Sequence, residues 1–325
     1  MKFKVLLILI IFSVFISCKK DELGTNAFNN EILLNTSIPS FKTLEEFIIA
    51  ANKTSKMTND EIVNYENALG YNSFGRICDE FYHSINPDNF KSKGEIEAFV
   101  SNNNKFLVFD TDYTGDTYCL PREYDNKARY LINEDKMYII GDFAFKRFEK
   151  AIVSTEVLNI SSLYKLETAG EAQSNPIFNV QKIIKETSGS KKEQYEDHND
   201  KWANGDYYRI KLFIQTELFH WTVPGKVQTD RETEYKITNF KRSLGIWFQK
   251  TLRTDFEIDL ISTDAISNID QILTAQGSSV NEAVLSESIK FKQSDVLTWV
   301  YEPYFYYYYA YAKNAAGCTK SFVKY

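Results

Sequence analysis

Tyr304-Phe305-Tyr306-Tyr307-Tyr308-Tyr309-Ala310-Tyr311-Ala312 is the stretch on which the reading of this chain turns. An unbroken run of aromatic and small residues without Pro, Gly or charge predicts a β-strand, because such side chains suit a pleated, half-buried surface. Neighbouring residues on a strand point to opposite faces, so tyrosine lines both. One face has to pack against a second sheet. Tyr304, Tyr306 and Tyr308 are then a candidate ligand-binding row, since a phenol ring offers an apolar body and a polar tip to a sugar or a partner surface. Upstream, Tyr207 to Val223, Thr233 to Phe240, Gly245 to Leu252, Asp255 to Ile261, Ser288 to Phe291 and Val296 to Val300 are rich in aromatic and β-branched residues and bounded by turn formers. That density of short strands predicts a sandwich or open barrel. Asp264 to Ala275, with Ile266, Ile269, Ile272 and Leu273, reads as one inserted helix.

The first half has a different period. Thr43 with Glu46, Thr58 with Glu61 and Ser92 with Glu95 are three capping-box spacings, each followed by apolar residues at helical intervals. Phe74, Ile77, Cys78, Phe81 and Tyr82 mark a further helix, and Gly70 and Pro87 supply stops. From Lys105 the pattern turns to strands: Phe106 to Phe109, a hairpin formed by Tyr130-Leu131-Ile132 and Met137 to Ile140, and Phe143 to Phe148. Ile152 to Leu166 reads as either strand or loop. Helices followed by a small sheet predict an α+β domain whose helices cover one sheet face. Thr187 to Asn204, with a Ser-Gly-Ser-Lys-Lys core and no aliphatic side chain larger than Ala203, reads as a flexible connection. The expected fold class is therefore α+β: an N-terminal helical cluster on a small antiparallel sheet, then a β-sandwich-like C-terminal domain. The expected boundaries are 1–17 leader, 18–40 tether, 41–186 α+β domain, 187–204 linker and 205–325 sandwich.

At 325 residues the chain is long enough for two domains, and 43% apolar content against 25% charged provides a core. Lys plus Arg total 38 and Asp plus Glu 44, a net charge of −6, which argues against a nucleic-acid binder because phosphate neutralisation needs a basic face. Lys2 and Lys4 precede an apolar run from Val5 to Ile16 that is interrupted only by Ser13. This is a secretion signal, shorter than the ~20 residues that a spanning helix needs. Ser17-Cys18 directly after it resembles the lipobox of bacterial lipoproteins. That resemblance implies that Cys18 is diacylated and becomes the first mature residue, anchored by several acyl chains. Lys20-Asp21-Glu22 resembles the Lys-acidic-acidic signal that sends some Gram-negative lipoproteins to the outer face of the outer membrane.

Asp110, Asp112, Thr114 and Gly115 stand at positions one, three, five and six of a calcium-loop pattern, and Asp116 is a further candidate oxygen ligand; Pro121 occupies the place of the closing acid. An acidic turn between two strands accounts for the same residues. His220-Trp221 beside Glu217 has no matched nucleophile and reads as structural. Apart from Cys18, three cysteines remain, Cys78, Cys119 and Cys318: either one bridge plus a free thiol, with Cys78 and Cys119 the nearer pair, or three reduced buried thiols. No cysteine or histidine spacing fits zinc, no cofactor motif is present, and no Gly-x-Ser-x-Gly, His-Glu-x-x-His, phosphate loop or Gly-x-Gly-x-x-Gly occurs.

Tyr304 to Ala312 followed by Lys313-Asn314-Ala315-Ala316-Gly317 resembles the closing strand and turn of fibronectin type III-like sandwiches. The whole layout is similar to uncharacterised lipoproteins of gut-type Gram-negative bacteria that carry domains of unknown function, a resemblance that implies no activity. The expectation is a lipid-anchored envelope protein at the cell surface, a non-catalytic binding or adhesion module for glycans, host proteins or neighbouring envelope proteins. The alternatives are a surface glycan hydrolase with paired carboxylates, which spacing alone cannot pick out, and a structural envelope component.

Overall fold

In a computed structural model of the chain, residues 37–112, 114–122, 128–182, 192–224, 226–264, 268, 270–294 and 303–324 are described. Strand β1 (Ser40–Phe41) leads into helix α1 (Leu44–Thr54), where the Thr43 hydroxyl accepts the Glu46 amide at 3.2 Å and the Glu46 carboxylate turns back to the Lys42 amide at 2.7 Å. Helix α2 (Asn59–Leu69) has the complete reciprocal box between Thr58 and Glu61, and ends on Gly70 at φ +74°, a left-handed turn that suits glycine. Ser73 caps α3 (Phe74–His83) and Ser92 caps α4 (Lys93–Asn102). A hairpin of β2 (Leu107–Thr111) and β3 (Thr117–Pro121) comes next. Then come β4 (Met137–Ile140), β5 (Phe143–Arg147), β6 (Ala151–Glu156), the short helices α5 (Ile160–Tyr164) and α6 (Ala169–Ala172), and β7 (Asn179–Lys182). The hairpin expected across 133–136 is instead the β4–β5 pair around Gly141-Asp142, because Arg129–Leu131 forms a 3-10 turn.

The second half is β-rich: β8 (Lys192–Ala203), β9 (Asp206–Val223), β10 (Lys226–Ser243), β11 (Ile246–Gln249), β12 (Leu252–Asp264), β13 (Asp270–Glu282), β14 (Val284–Ser294), β15 (Pro303–Asn314) and β16 (Thr319–Lys324). Two expectations change here. Most of the predicted linker is strand β8, paired residue for residue with β9 through the Asn204-Gly205 turn, whose positive φ values are those of a tight hairpin. The second half of the predicted helix over Asp264 to Ala275, from Asp270 on, is β13, whose register on β12 sets Leu273 inward and Ile272 outward, a period of two where the spacing implied 3.6; Ile266 and Ile269 lie outside the described residues.

Among the described residues the strands form three sheets. Sheet I, in the order β1-β4-β5-β6-β7, is antiparallel except for the β1–β4 pair. Side chains alternate along β4, so Tyr138 and Ile140 pack on α1 while Met137 packs with Ile160 and Leu163 of α5. Helices thus cover both faces of this sheet, not one. Sheet II runs β2-β3-β11-β10-β9-β8, with β14 beside β10, and joins strands from both halves of the chain through the parallel β3–β11 pair. Helices α3 and α4 seal that junction. The Tyr82 hydroxyl donates to the Cys119 carbonyl at 3.0 Å and accepts the Gln249 amide at 2.7 Å, tying α3 to both strands. Sheet III, β13-β12-β15-β16, packs one face on sheet II. The core between them holds Ile210, Leu212, Ile214, Tyr235 and Ile237 from one sheet and Ile258, Leu260, Leu273, Phe305 and Tyr308 from the other. The class is the expected α+β, with helices in the N-terminal part and a β-rich, sandwich-like C-terminal part. Thr36–Tyr325 forms one compact unit.

Candidate functional site

Strand β15 places its tyrosines differently from a simple alternation. Its register on β12 pairs Ser262 with Phe305 and Ile261 with Tyr307, so Tyr306 is an extra residue, a β-bulge. The bulge reverses the phase. Before it Phe305 is inward; after it Tyr308, Ala310 and Ala312 are inward. Tyr304 and Tyr306 are exposed, but Tyr308 is buried in the sandwich core against Tyr195, whose ring centroid lies 4.7 Å away. The expected row of Tyr304, Tyr306 and Tyr308 is therefore divided between the two faces.

What replaces it is a row of Tyr307, Tyr309 and Tyr311 on the outward face of sheet III, each part-exposed. The register sets Ile261, Asp259 and Glu257 of β12 directly opposite these three tyrosines. One strand further lie Ile272, Thr274 and Gln276 of β13, and on the other side Val323 and Ser321 of β16 stand opposite Tyr309 and Tyr311. Ile272 is 57% exposed and Val323 47%. The result is a part-exposed face with tyrosines at alternate positions along one strand, aliphatic groups at one end and carboxylates on the neighbouring strand. Rings supply contact area at low entropic cost, and carboxylates accept hydrogen bonds from hydroxyl or amide groups.

Two of the calcium-like residues, Asp112 and Asp116, lie against a guanidinium. Asp112 Oδ1 accepts the Thr114 amide at 2.9 Å, the Asp116 amide at 3.1 Å and the Thr114 hydroxyl, and Asp112 Oδ2 accepts the Tyr118 hydroxyl at 2.7 Å. Burial pushes this carboxyl up, but those hydrogen bonds outweigh it and hold the group down at about 2. The charge opposite is Arg209 of β9, itself fully buried. Its Nε and Nη2 grip both oxygens of Asp200 at 2.6 and 2.7 Å, Nη2 also reaches Asp116 at 2.7 Å, and Nη1 donates to the Tyr118 hydroxyl. The guanidinium lies 4.2 Å from the Trp247 ring centroid. Asp110 is exposed on β2 and outside this cluster. Among the described residues, no group of three or more His, Cys, Asp or Glu is arranged to hold a metal ion.

Cys78, Cys119 and Cys318 are buried free thiols, and burial pushes those of Cys78 and Cys119 up to about 12. The backbones of Glu217 and His220 lie in β9, whereas their side chains fall outside the described residues, as do Cys18 and the leader. No helix among the described residues is long and apolar enough to cross a membrane. The clearest sequence signal that went unread is Arg209, a lone guanidinium inside the apolar run of β9, which demands buried partners.

An α+β protein with an open aromatic sheet face is thus defined by its geometry. No protein-family model matches the chain, and no curated protein matches it. Among solved structures, it is similar to the crystal structure of a DUF4848 family protein from the gut bacterium Bacteroides thetaiotaomicron. The two are 12% identical, the match covers 90% of this chain and 99% of that one, and the TM-score is 0.28. These values fall short of a shared fold.

Proposed function

We propose that the protein is a non-catalytic binding module of a bacterial outer membrane, held by acyl chains on Cys18, and that the outward face of sheet III engages glycan chains at the cell surface. The observation that carries this reading is the row of Tyr307, Tyr309 and Tyr311 with Glu257 and Asp259 at its side. Rings on one strand are spaced about 7 Å apart at alternate residues, so successive sugar faces can lie along them while the carboxylates take hydroxyl hydrogens. A row of this kind costs solubility if it contacts nothing, which favours a partner. The leader and the lipobox-like cysteine support the address. Two measurements test the reading. A glycan and host-protein array probed with the full chain in detergent is expected to give glycan hits that Tyr309→Ala and Tyr311→Ala each weaken about tenfold. Mass spectrometry of membrane-derived protein is expected to find an acylated N-terminal peptide beginning at Cys18. Hits that survive both substitutions, or an unmodified Cys18, overturn the corresponding half of the proposal.

A further inference from the structure

Sheet II carries a second feature on the face turned away from sheet III. Its strand registers place Trp202 opposite Tyr207, Tyr207 opposite Arg242, Arg242 opposite Trp247, and Trp247 opposite Tyr118. Trp202 is 69% exposed, yet its ring is held: it stacks on Tyr207 at 5.0 Å and 29°, and Tyr207 lies 5.4 Å from the fully buried Trp247. An exposed indole normally buries itself or swings free. Here a relay of rings fixes it to the core as a shelf.

Along β8 the same face carries Asp200, His198, Glu196 and Gln194, because alternate residues share a face. It ends in a pocket of about 470 Å3 lined by Asp110, Thr111 and Asp112 from the β2 end, Gln194 and Glu196 from β8, and Lys211 from β9. β2 and β8 are the two ends of the strand order of sheet II, so the pocket lies between two sheet edges. The lining mixes acceptors and donors in pairs: Lys211 meets Glu196 at 2.6 Å, and Asp112 is held by Tyr118 and faces Arg209 at 3.7 Å. The Arg209 cluster also connects shelf and pocket, since Tyr207 donates to Asp200 at 3.3 Å and Asp200 holds the guanidinium.

We propose that this strip is a second saccharide site: Trp202, backed by Tyr207, stacks one sugar ring on its outer face, and the pocket hydrogen-bonds the hydroxyls of a unit further along the same oligosaccharide. Three carboxylates in the lining disfavour a phosphate or nucleotide, and the paired charges disfavour an apolar ligand. A polyhydroxyl ligand uses both donors and acceptors. From Trp202 to Glu196 is six strand residues, roughly 20 Å, so the ligand is several sugar units long. This site shares the glycan chemistry of the tyrosine face but stands or falls separately.

The test is calorimetric titration of the full chain in detergent with glucose-, mannose- and N-acetylglucosamine-based oligosaccharides of one to six units. Affinity for one series is expected to rise with length and level off at four to six units. Trp202→Ala and Glu196→Gln are each expected to lower it at least tenfold with an unchanged melting temperature, and Tyr309→Ala to leave it alone. Because Trp202 is exposed, its truncation leaves the fold intact, and Glu196→Gln keeps the side-chain shape. Three results overturn the proposal: no binding in any series, loss with Tyr309→Ala but not with Trp202→Ala, or release of new reducing ends that Glu196→Gln abolishes, which would make the pocket hydrolytic. A series lost with Trp202→Ala and kept with Tyr309→Ala reports this strip, whereas glycan hits weakened by Tyr309→Ala report the tyrosine face.

Discussion

Replacing Arg209 by Met removes the charge while keeping a flexible chain of similar length, and it isolates what holds the 112–116 turn to strands β8 and β9. The wild-type guanidinium satisfies Asp200 through two hydrogen bonds and Asp116 through one, and packs on Trp247. Removing one partner of a buried ion pair costs about 3 to 5 kcal/mol, because the remaining carboxylates are left without compensation. With a total stability of about 5 to 15 kcal/mol, that is about a fifth or more of the whole. For a chain of this size the melting point is expected to fall by on the order of 10 °C. The pH dependence supplies an internal check. Asp112 has a folded-state value of about 2 against an ordinary 3.8, so its contribution is present above pH 3.8 and is lost as pH falls towards 2. That shift corresponds to about 2 kcal/mol. Urea unfolding at pH 7 and across pH 2 to 5 measures both. Tyr118→Phe removes the hydroxyl that donates to Asp112, and is expected to shrink the acid-limb loss while costing only about 1 kcal/mol at pH 7. An Arg209→Met midpoint within 1 kcal/mol of wild type would refute the reasoning, since a cluster that can lose its cation so cheaply is not held together by it.

Tyr308→Ala is expected to cost about 3 to 5 kcal/mol by emptying the sandwich core, whereas Tyr309→Ala costs under 1, and denaturant midpoints of the two variants compare them directly. Equal losses would mean that the bulge at Tyr306 does not set the phase. Ellman's reagent should find no reactive thiol at Cys78, Cys119 or Cys318 in the native protein at pH 8, and all three after denaturation, because each is buried and free. Thr58→Ala, which breaks the full capping box of α2, is expected to lower stability by about 1 kcal/mol in the same unfolding assay, and Gly70→Ala by a similar amount because of its positive φ.

Helices α1 to α4 were legible because their determinants are local: the hydroxyls of Thr43, Thr58, Ser73 and Ser92 each accept the amide three residues on, whereas the short α5, in a stretch that reads as strand or loop, has no such side-chain cap hydrogen bond at its start. The strands were legible as strands, but their phase was not. Whether Tyr308 or Tyr309 faces the core depends on one extra residue in the ladder with β12, and a run of consecutive aromatics carries no alternation from which to read it. Strand β8 hid for a related reason. It is an edge strand with charges along much of its length, so Lys192 to Ala203 looks like a solvated linker until its register with β9 is seen. The acidic turn at Asp112 to Asp116 is visible as a motif that fits either a calcium loop or a plain acidic turn, and its guanidinium partner is not, because Arg209 lies 93 residues away. Trp202 lay inside the supposed linker, which is why its shelf went unnoticed.

The most direct test of the tyrosine face is carbon-13 NMR of the protein labelled at its tyrosine rings, titrated with the glycan that the array selects. The account predicts that the resonances of Tyr307, Tyr309 and Tyr311 move together and saturate with the binding isotherm while that of Tyr308 stays still. Movement confined to other tyrosines, with those three unchanged at saturation, would contradict it.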